Sequence, residues 1–148
     1  MLLAAVVLAS VFGVLRAARD GRFRGTRRVR RATPDASRET ETAAVLPIVG
    51  IDRASGERAT LLQFSSAFCA PCRVTRRVLG EVASVVPGVA HIEVDAEQHL
   101  DVVRRLGIVR TPTTLVLDGS GREVSRASGA PRKEEVLAAL GKAVEASA

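Results

Sequence analysis

The apolar and polar positions divide this chain into stretches of different character. Residues 2–15 carry no charge and one weak helix breaker, Gly13. As a helix this run is about 21 Å long, against a hydrocarbon core of about 30 Å. Met1, the apolar stem of Arg16 and the alanines up to Ala18 lengthen it to a marginal span. A transmembrane anchor over residues 1–18 is therefore expected. A cleaved secretory signal is the rival, but it wants a basic stretch before the apolar run and a small-residue cleavage site after it. Here arginines follow the run. Residues 32–44 are rich in Thr, Ser, Glu and Ala and include Pro34, the composition of a flexible tether.

From Val45 onward the pattern is that of a packed domain. Residues 45–51 are a short apolar run broken by Pro47, which predicts an edge strand. Ser55-Gly56 is a turn signal. Residues 60–65 read as a buried strand carrying Leu61, Leu62 and Phe64. A helical stretch follows, with Val74, Val78, Leu79, Val82, Val85 and Val86 on one face, and ends at Pro87-Gly88. Residues 89–94 are a second core strand. Residues 97–106 read as a helix with Leu100, Val103 and Leu106 inward and Gly107 as its cap; Asp95 and Glu97 flank its start. Residues 113–117 form another apolar strand, and Asp118-Gly119-Ser120-Gly121 turns it into residues 122–127. Pro131 suits the first position of a last helix, with Val136, Leu137, Leu140 and Val144 inward.

The order β-α-β-α-β-β-α, with one extra strand in front, predicts an α/β domain: a central mixed sheet flanked by helices over residues 45–148. The first two core strands are joined by a helical crossover and should be parallel; the last two should form a hairpin.

Composition sharpens this picture. The 148 residues fit one domain with an appendage and exclude a multi-domain enzyme. With 47% apolar and 26% charged residues, a packed core is expected and global disorder is not. Two cysteines exclude a disulfide-rich scaffold and a four-cysteine zinc site. The net charge of +6 is concentrated in one block. Arg16, Arg19, Arg22, Arg24, Arg27, Arg28, Arg30 and Arg31 have Asp20 as the only acid among them, and the rest of the chain is nearly neutral. Residues 19–44 thus read as a basic juxtamembrane segment and linker. Basic residues beside a span stay on the cytoplasmic side, so the domain is expected in the cytoplasm, an extracytoplasmic position being the alternative. The block can also lie on anionic headgroups. No aromatic residues interleave with it and no recognition helix follows, so nucleic acid is not an expected partner.

Both cysteines fall in Cys69-Ala70-Pro71-Cys72, between a strand and a helix. Two intervening residues let both sulfurs meet across the first helical turn. The unpaired N–H groups of that turn and the helix dipole stabilise a thiolate on Cys69. Pro71 starts a helix readily because its missing N–H would have had no partner there. Arg73 adds a nearby positive charge. Cys69 is then the attacking nucleophile and Cys72 the resolving thiol. His91 and His99 have no spacing that points to a metal shared with the cysteines, and no metal or other cofactor is expected beyond the redox-active disulfide. No glycine-rich phosphate loop and no Ser/His/Asp set stands out.

This arrangement resembles the thioredoxin-like family over most of residues 60–148. Phe64-Ser65-Ser66-Ala67-Phe68 leads into the cysteine motif as that family's second strand does. His91-Ile92-Glu93-Val94-Asp95 is similar to its third strand. Gly107-Ile108-Val109-Arg110-Thr111-Pro112-Thr113 is similar to its cis-proline loop, and Ser128-Gly129-Ala130 to the turn before its last helix. The resemblance implies a cis Thr111–Pro112 bond facing the disulfide. It also implies that the backbone of Thr111 pairs with an extended substrate segment. Phe68 stands where the family usually has Trp, and Gln63 where thioredoxins proper have a buried Asp. Gln cannot accept a proton at neutral pH, so slower resolution by Cys72, or water in place of the acid, is expected. The helix between the family's first two strands is expected to be missing, since only a turn separates residues 45–51 from residues 60–65.

The expected function is a membrane-tethered thiol–disulfide oxidoreductase. It would reduce protein disulfides and draw electrons from a reductase or a small thiol. One alternative is an extracytoplasmic thioredoxin-like reductase of cytochrome c maturation or envelope disulfide repair. Another is a non-enzymatic interaction or metal-carrier module.

Overall fold

A computed structural model describes residues 2–25, 45–50 and 55–145. The elements in chain order are α1 (Leu2–Arg19), β1 (Arg24–Gly25), α2 (Val45–Val49), β2 (Ala59–Ser65), α3 (Ala70–Val85), β3 (Val89–Asp95), α4 (Leu100–Arg105), β4 (Thr113–Asp118), β5 (Glu123–Ser128) and α5 (Lys133–Glu145). The sheet runs β1-β5-β4-β2-β3. β2 and β3 are parallel, in register from Ala59↔Val89 to Ser65↔Asp95. β2–β4 and β4–β5 are antiparallel, so the sheet is mixed as expected.

β2 and β4 are buried along their whole length, so alternate residues feed two cores. On one face Leu62, Phe64, Leu115 and Leu117 pack with Val94, Val102, Leu106, Ile108, Val45 and Val49. On the other, Ala59, Leu61 and Val116 pack with Leu79 and Val82 of α3 and with Val136, Ala139, Leu140 and Ala143 of α5. Each large side chain removed from water there contributes about 1.5–3 kcal/mol. The helix faces are narrower than the sequence pattern suggests. Val74, Val85, Leu100 and Leu137 are exposed. The small residues Ala139 and Ala143 take inward positions on α5, where they let the helix approach the sheet closely.

The extra strand expected over residues 45–51 is a helical turn instead. Val45 and Val49, four apart, both reach the core while Pro47 between them is exposed; a helix gives this pattern, whereas a strand would put all three on one face. Pro47 also lacks the N–H that a ladder would use. Ile51 lies outside the described residues. The added strand of this sheet is β1, at the edge away from β3: Arg24 pairs with Arg126 and Gly25 with Ser125 of β5. Just before it, the Gly21 N–H donates to the Ser128 carbonyl at 2.9 Å, and Phe23 packs on the α5 side of the sheet.

α1 presents Val6, Val7, Leu8, Val11, Phe12, Val14 and Leu15 as exposed side chains. Among the described residues no helix is long and apolar enough to cross a membrane. The expected spanning helix is therefore not shown. Most of the expected linker, residues 26–44, lies outside the described residues.

Candidate active site

β2 delivers the chain to the rim of the sheet, and Ser66, Ala67 and Phe68 turn it into α3. Cys69 is the N-cap of that helix, with extended backbone (φ −99°, ψ 97°), and Pro71 lies in its first turn. The Cys72 N–H donates to Cys69 Sγ at 3.1 Å. A helix N-terminus thus points its free donors at the first sulfur, the environment that favours a thiolate there. In the oxidised form seen here the two sulfurs are bonded, with the Cα atoms 5.2 Å apart. The pair is asymmetric: Cys69 is partly accessible, whereas Cys72 is 2% exposed. An incoming disulfide can reach only the first sulfur. Ala70, Pro71 and Arg73 lie exposed around the motif.

The second wall is the loop entering β4. Thr111–Pro112 is cis, as the resemblance implies. Thr111 Oγ1 lies 3.0 Å from Ser66 Oγ, and this contact brings the proline loop against the cysteine loop. The Gly129 N–H donates to the Pro112 carbonyl at 2.7 Å, and the Thr113 hydroxyl to the Arg110 carbonyl at 2.8 Å. Phe68 is 99% and Val109 89% exposed, so each loop ends in an apolar tip. Arg110 bonds the Asp20 carboxylate and the Ser128 carbonyl, which ties the segment after α1 to the residue before Thr111.

Beneath the motif lies a polar network. Gln63 is fully buried. Its Nε2 donates to Ser65 Oγ at 2.8 Å and to the Cys72 carbonyl at 3.0 Å. Its Oε1 is 3.1 Å from His91 Nε2. Glu93, two residues on along β3, is bonded by Arg76 of α3, with Arg76 Nη2 to Glu93 Oε1 at 2.7 Å. For Glu93, burial acts to raise the carboxyl, but hydrogen bonds from Arg76 and Ser65 and the nearby positive charge outweigh it and hold the carboxyl below its ordinary value. Burial lowers His91; Glu93 opposes this and Arg76 adds to it.

Phe68, Cys69, Ala70, Pro71, Cys72, Arg73, Thr111, Pro112 and Gln63 thus gather at one end of the sheet. Sequence reasoning passed over Ser65, Ser66, Arg76, His91 and Glu93 as parts of this site. A usable signal existed for three of them. Period two on β3 puts His91 and Glu93 on one face, and the i+4 spacing from Cys72 puts Arg76 on the same side of α3. Among the described residues no three of His, Cys, Asp and Glu stand close enough to hold a metal ion.

Residues 52–144 match the family described as thioredoxin-like domain. An H-type thioredoxin of Fagopyrum esculentum is 35% identical over 77 residues, 52% of this chain and 65% of its own length. A thioredoxin of Alicyclobacillus acidocaldarius is 30% identical over 86 residues, 57% of this chain and 81% of its own length. Among solved structures, that of thioredoxin NaTrxh from Nicotiana alata superposes with a TM-score of 0.53 at 26% identity, covering 59% of this chain and 74% of that one. The chain spans just under two thirds of the length of the Fagopyrum relative it matches.

Proposed function

The chain belongs to the thioredoxin-like domain family, and from that premise we propose that it is a thiol–disulfide oxidoreductase that reduces protein disulfides. The observation that carries this reading is the unequal pair at the head of α3: Cys69 capped and accessible, Cys72 buried. In the reduced protein the Cys69 thiolate attacks a substrate disulfide and expels one substrate sulfur as a thiolate, which takes up a proton. Cys72 then loses its proton and attacks Cys69 Sγ, releasing the second substrate sulfur and restoring the Cys69–Cys72 disulfide. Two electrons pass to the substrate, and a reductase or a small thiol must return them. Phe68 and Val109 offer apolar surface to either side of the exchange, and the Thr111 backbone offers a strand edge to an extended substrate segment.

The finer reading places this domain at a membrane. The uncharged run of residues 2–15, whose described side chains are exposed, and the arginines after it support a tether through α1 with the domain on the cytoplasmic side.

Two measurements test these readings. Cys69→Ser in the full chain abolishes reduction of insulin disulfides; retained turnover overturns the enzyme reading. A reporter fused after Ala148 is active in the cytoplasm and the chain resists alkaline extraction from membranes. Activity only outside the cell supports the extracytoplasmic placement instead, and release by alkali removes the tether.

A further inference from the structure

The buried side of the site is wired to a titratable group. The Cys72 carbonyl can only accept a hydrogen bond, so the Gln63 nitrogen must face it, as the 3.0 Å contact requires. That choice turns Oε1 toward His91, 3.1 Å away. An amide oxygen also only accepts, so His91 Nε2 must carry the proton. One imidazole N–H therefore fixes which way the Gln63 amide points, and the amide holds the peptide of the resolving cysteine. Reversing the amide would set its oxygen against the Cys72 carbonyl and its NH2 group against the imidazole N–H.

We propose that His91 is a positioning residue for Cys72, acting through Gln63, and that its protonation is linked to the redox state of the Cys69–Cys72 pair. The charged groups facing His91 are Glu93 on its own strand and Arg76 on α3, and these two are paired with each other. Both keep their charge between about pH 5 and 8, where imidazole titrates. His91 is thus the member of the network that gains a charge on acidification, and burial moves that step below the ordinary imidazole value. The disulfide is neutral, whereas the reduced pair carries negative charge as Cys69 ionises. An imidazolium one side chain away from Cys72 is favoured by that charge. By reciprocity, protonated His91 favours the reduced, ionised pair. The sign is opposite to that of a buried carboxylate at position 63, which would disfavour the thiolate.

The proposal rests on the redox reading of the cysteines, but its test does not need a protein substrate. Nuclear magnetic resonance follows the imidazole signals of the full chain through pH in the oxidised form and after reduction by a phosphine. His91→Gln, whose amide still offers Gln63 an N–H, assigns the His91 signal by its loss. The expected result is a neutral tautomer protonated on Nε2 and a higher titration midpoint in the reduced protein. Equilibration with glutathione supplies a second readout. Disulfide plus two glutathiones gives dithiol plus glutathione disulfide, and the pH dependence of its equilibrium constant changes between wild type and His91→Gln. Identical midpoints in both redox forms, or a neutral tautomer protonated on Nδ1, overturn the proposal. If His91→Gln does not fold, His99→Gln leaves one imidazole signal, that of His91, and the comparison of its two redox forms decides. Retained insulin turnover in Cys69→Ser would overturn the enzyme reading and leave this titration outcome unaffected, so the two failures are distinguishable.

Discussion

Ser66 Oγ and Thr111 Oγ1 lie 3.0 Å apart, although 45 residues separate them in sequence. This hydroxyl pair spans the gap between the cysteine loop and the proline loop. Each wall of the site is otherwise held from its own side: Cys72 by Gln63, and Pro112 by Gly129. Ser66→Ala and Thr111→Val each remove the bridge without opening a large cavity. Each should lower stability by about 1 kcal/mol and reduce insulin-disulfide turnover by up to about tenfold, the equivalent of roughly 1.4 kcal/mol of lost alignment. A double-mutant cycle checks the pairing. A coupling energy near zero means that the hydroxyls do not act together.

The next prediction concerns acid. Asp118 is 3% exposed and closes the turn between β4 and β5. Burial acts to raise its carboxyl, but bonds from the Ser120 hydroxyl, the Arg122 N–H, the Arg122 guanidinium and the Ser120 N–H outweigh this and hold it below its ordinary value. Glu93 is lowered as well, and so is His91. All three groups bind protons more weakly in the folded chain than in the unfolded one, so stability rises with pH at each. Their contribution is complete above the ordinary imidazole value near 6.5 and is lost as pH falls, first through His91 and then, below about pH 4, through the carboxyls. Denaturant midpoints measured from pH 7 to 3 should fall steadily. Asp118→Asn should cost about 1.5–3 kcal/mol at pH 7 and flatten the lower part of the curve. A midpoint that rises on acidification contradicts the assignment.

Thr75 offers a test in the stabilising direction. Its hydroxyl is buried on α3, one turn after Cys72, and has no hydrogen-bond partner among the described residues. Leaving a polar atom unpaired in the interior costs about 1–3 kcal/mol, whereas a methyl of the same shape costs nothing there. Thr75→Val should therefore raise the unfolding free energy by about 1 kcal/mol, or the melting temperature by roughly 4–8 °C for a domain of this size. Calorimetry decides it, and a loss of stability would show that the oxygen has a partner after all.

What the sequence made legible follows from which signals are local. The cysteine motif, its helix, the crossover and the hairpin were all readable, because period, turn residues and caps act within a few positions. The helical turn at Val45–Val49 was not, because an apolar run of five residues fits strand and helix equally and the core decides between them. The partners of Gln63 were hidden for a different reason. Gln63 and His91 meet only once β2 and β3 adopt their register, with Gln63 opposite Glu93. The docking of residues 20–25 was hidden too: among so many arginines, nothing marks Gly21 and Phe23 as seated against the sheet.

That docked segment supports the last prediction. Gly21 has φ +76°, a conformation that disfavours any side chain, and a Cβ there would stand 2.1 Å from the Ala130 carbonyl oxygen. The close approach lets the Gly21 N–H reach Ser128 and sets Asp20 beside Arg110. Gly21→Ala must displace one backbone or the other. Residues 20–25 should then leave the β5 edge, Phe23 should lose part of its burial, and stability should fall by about 1–3 kcal/mol. Hydrogen exchange localises the effect: the amides of Gly21 and Gly25 should exchange more than about tenfold faster, while those of β2 keep protection apart from the change in global stability. Asp20→Asn weakens the same contact without steric conflict. It should loosen Arg110 while leaving Phe23 seated, a smaller change of about 0.2–1 kcal/mol, as expected for an exposed ion pair. If Gly21→Ala leaves the exchange of both amides unchanged, the strap is not held by this approach, and the tie between the segment after α1 and the proline loop loses its basis.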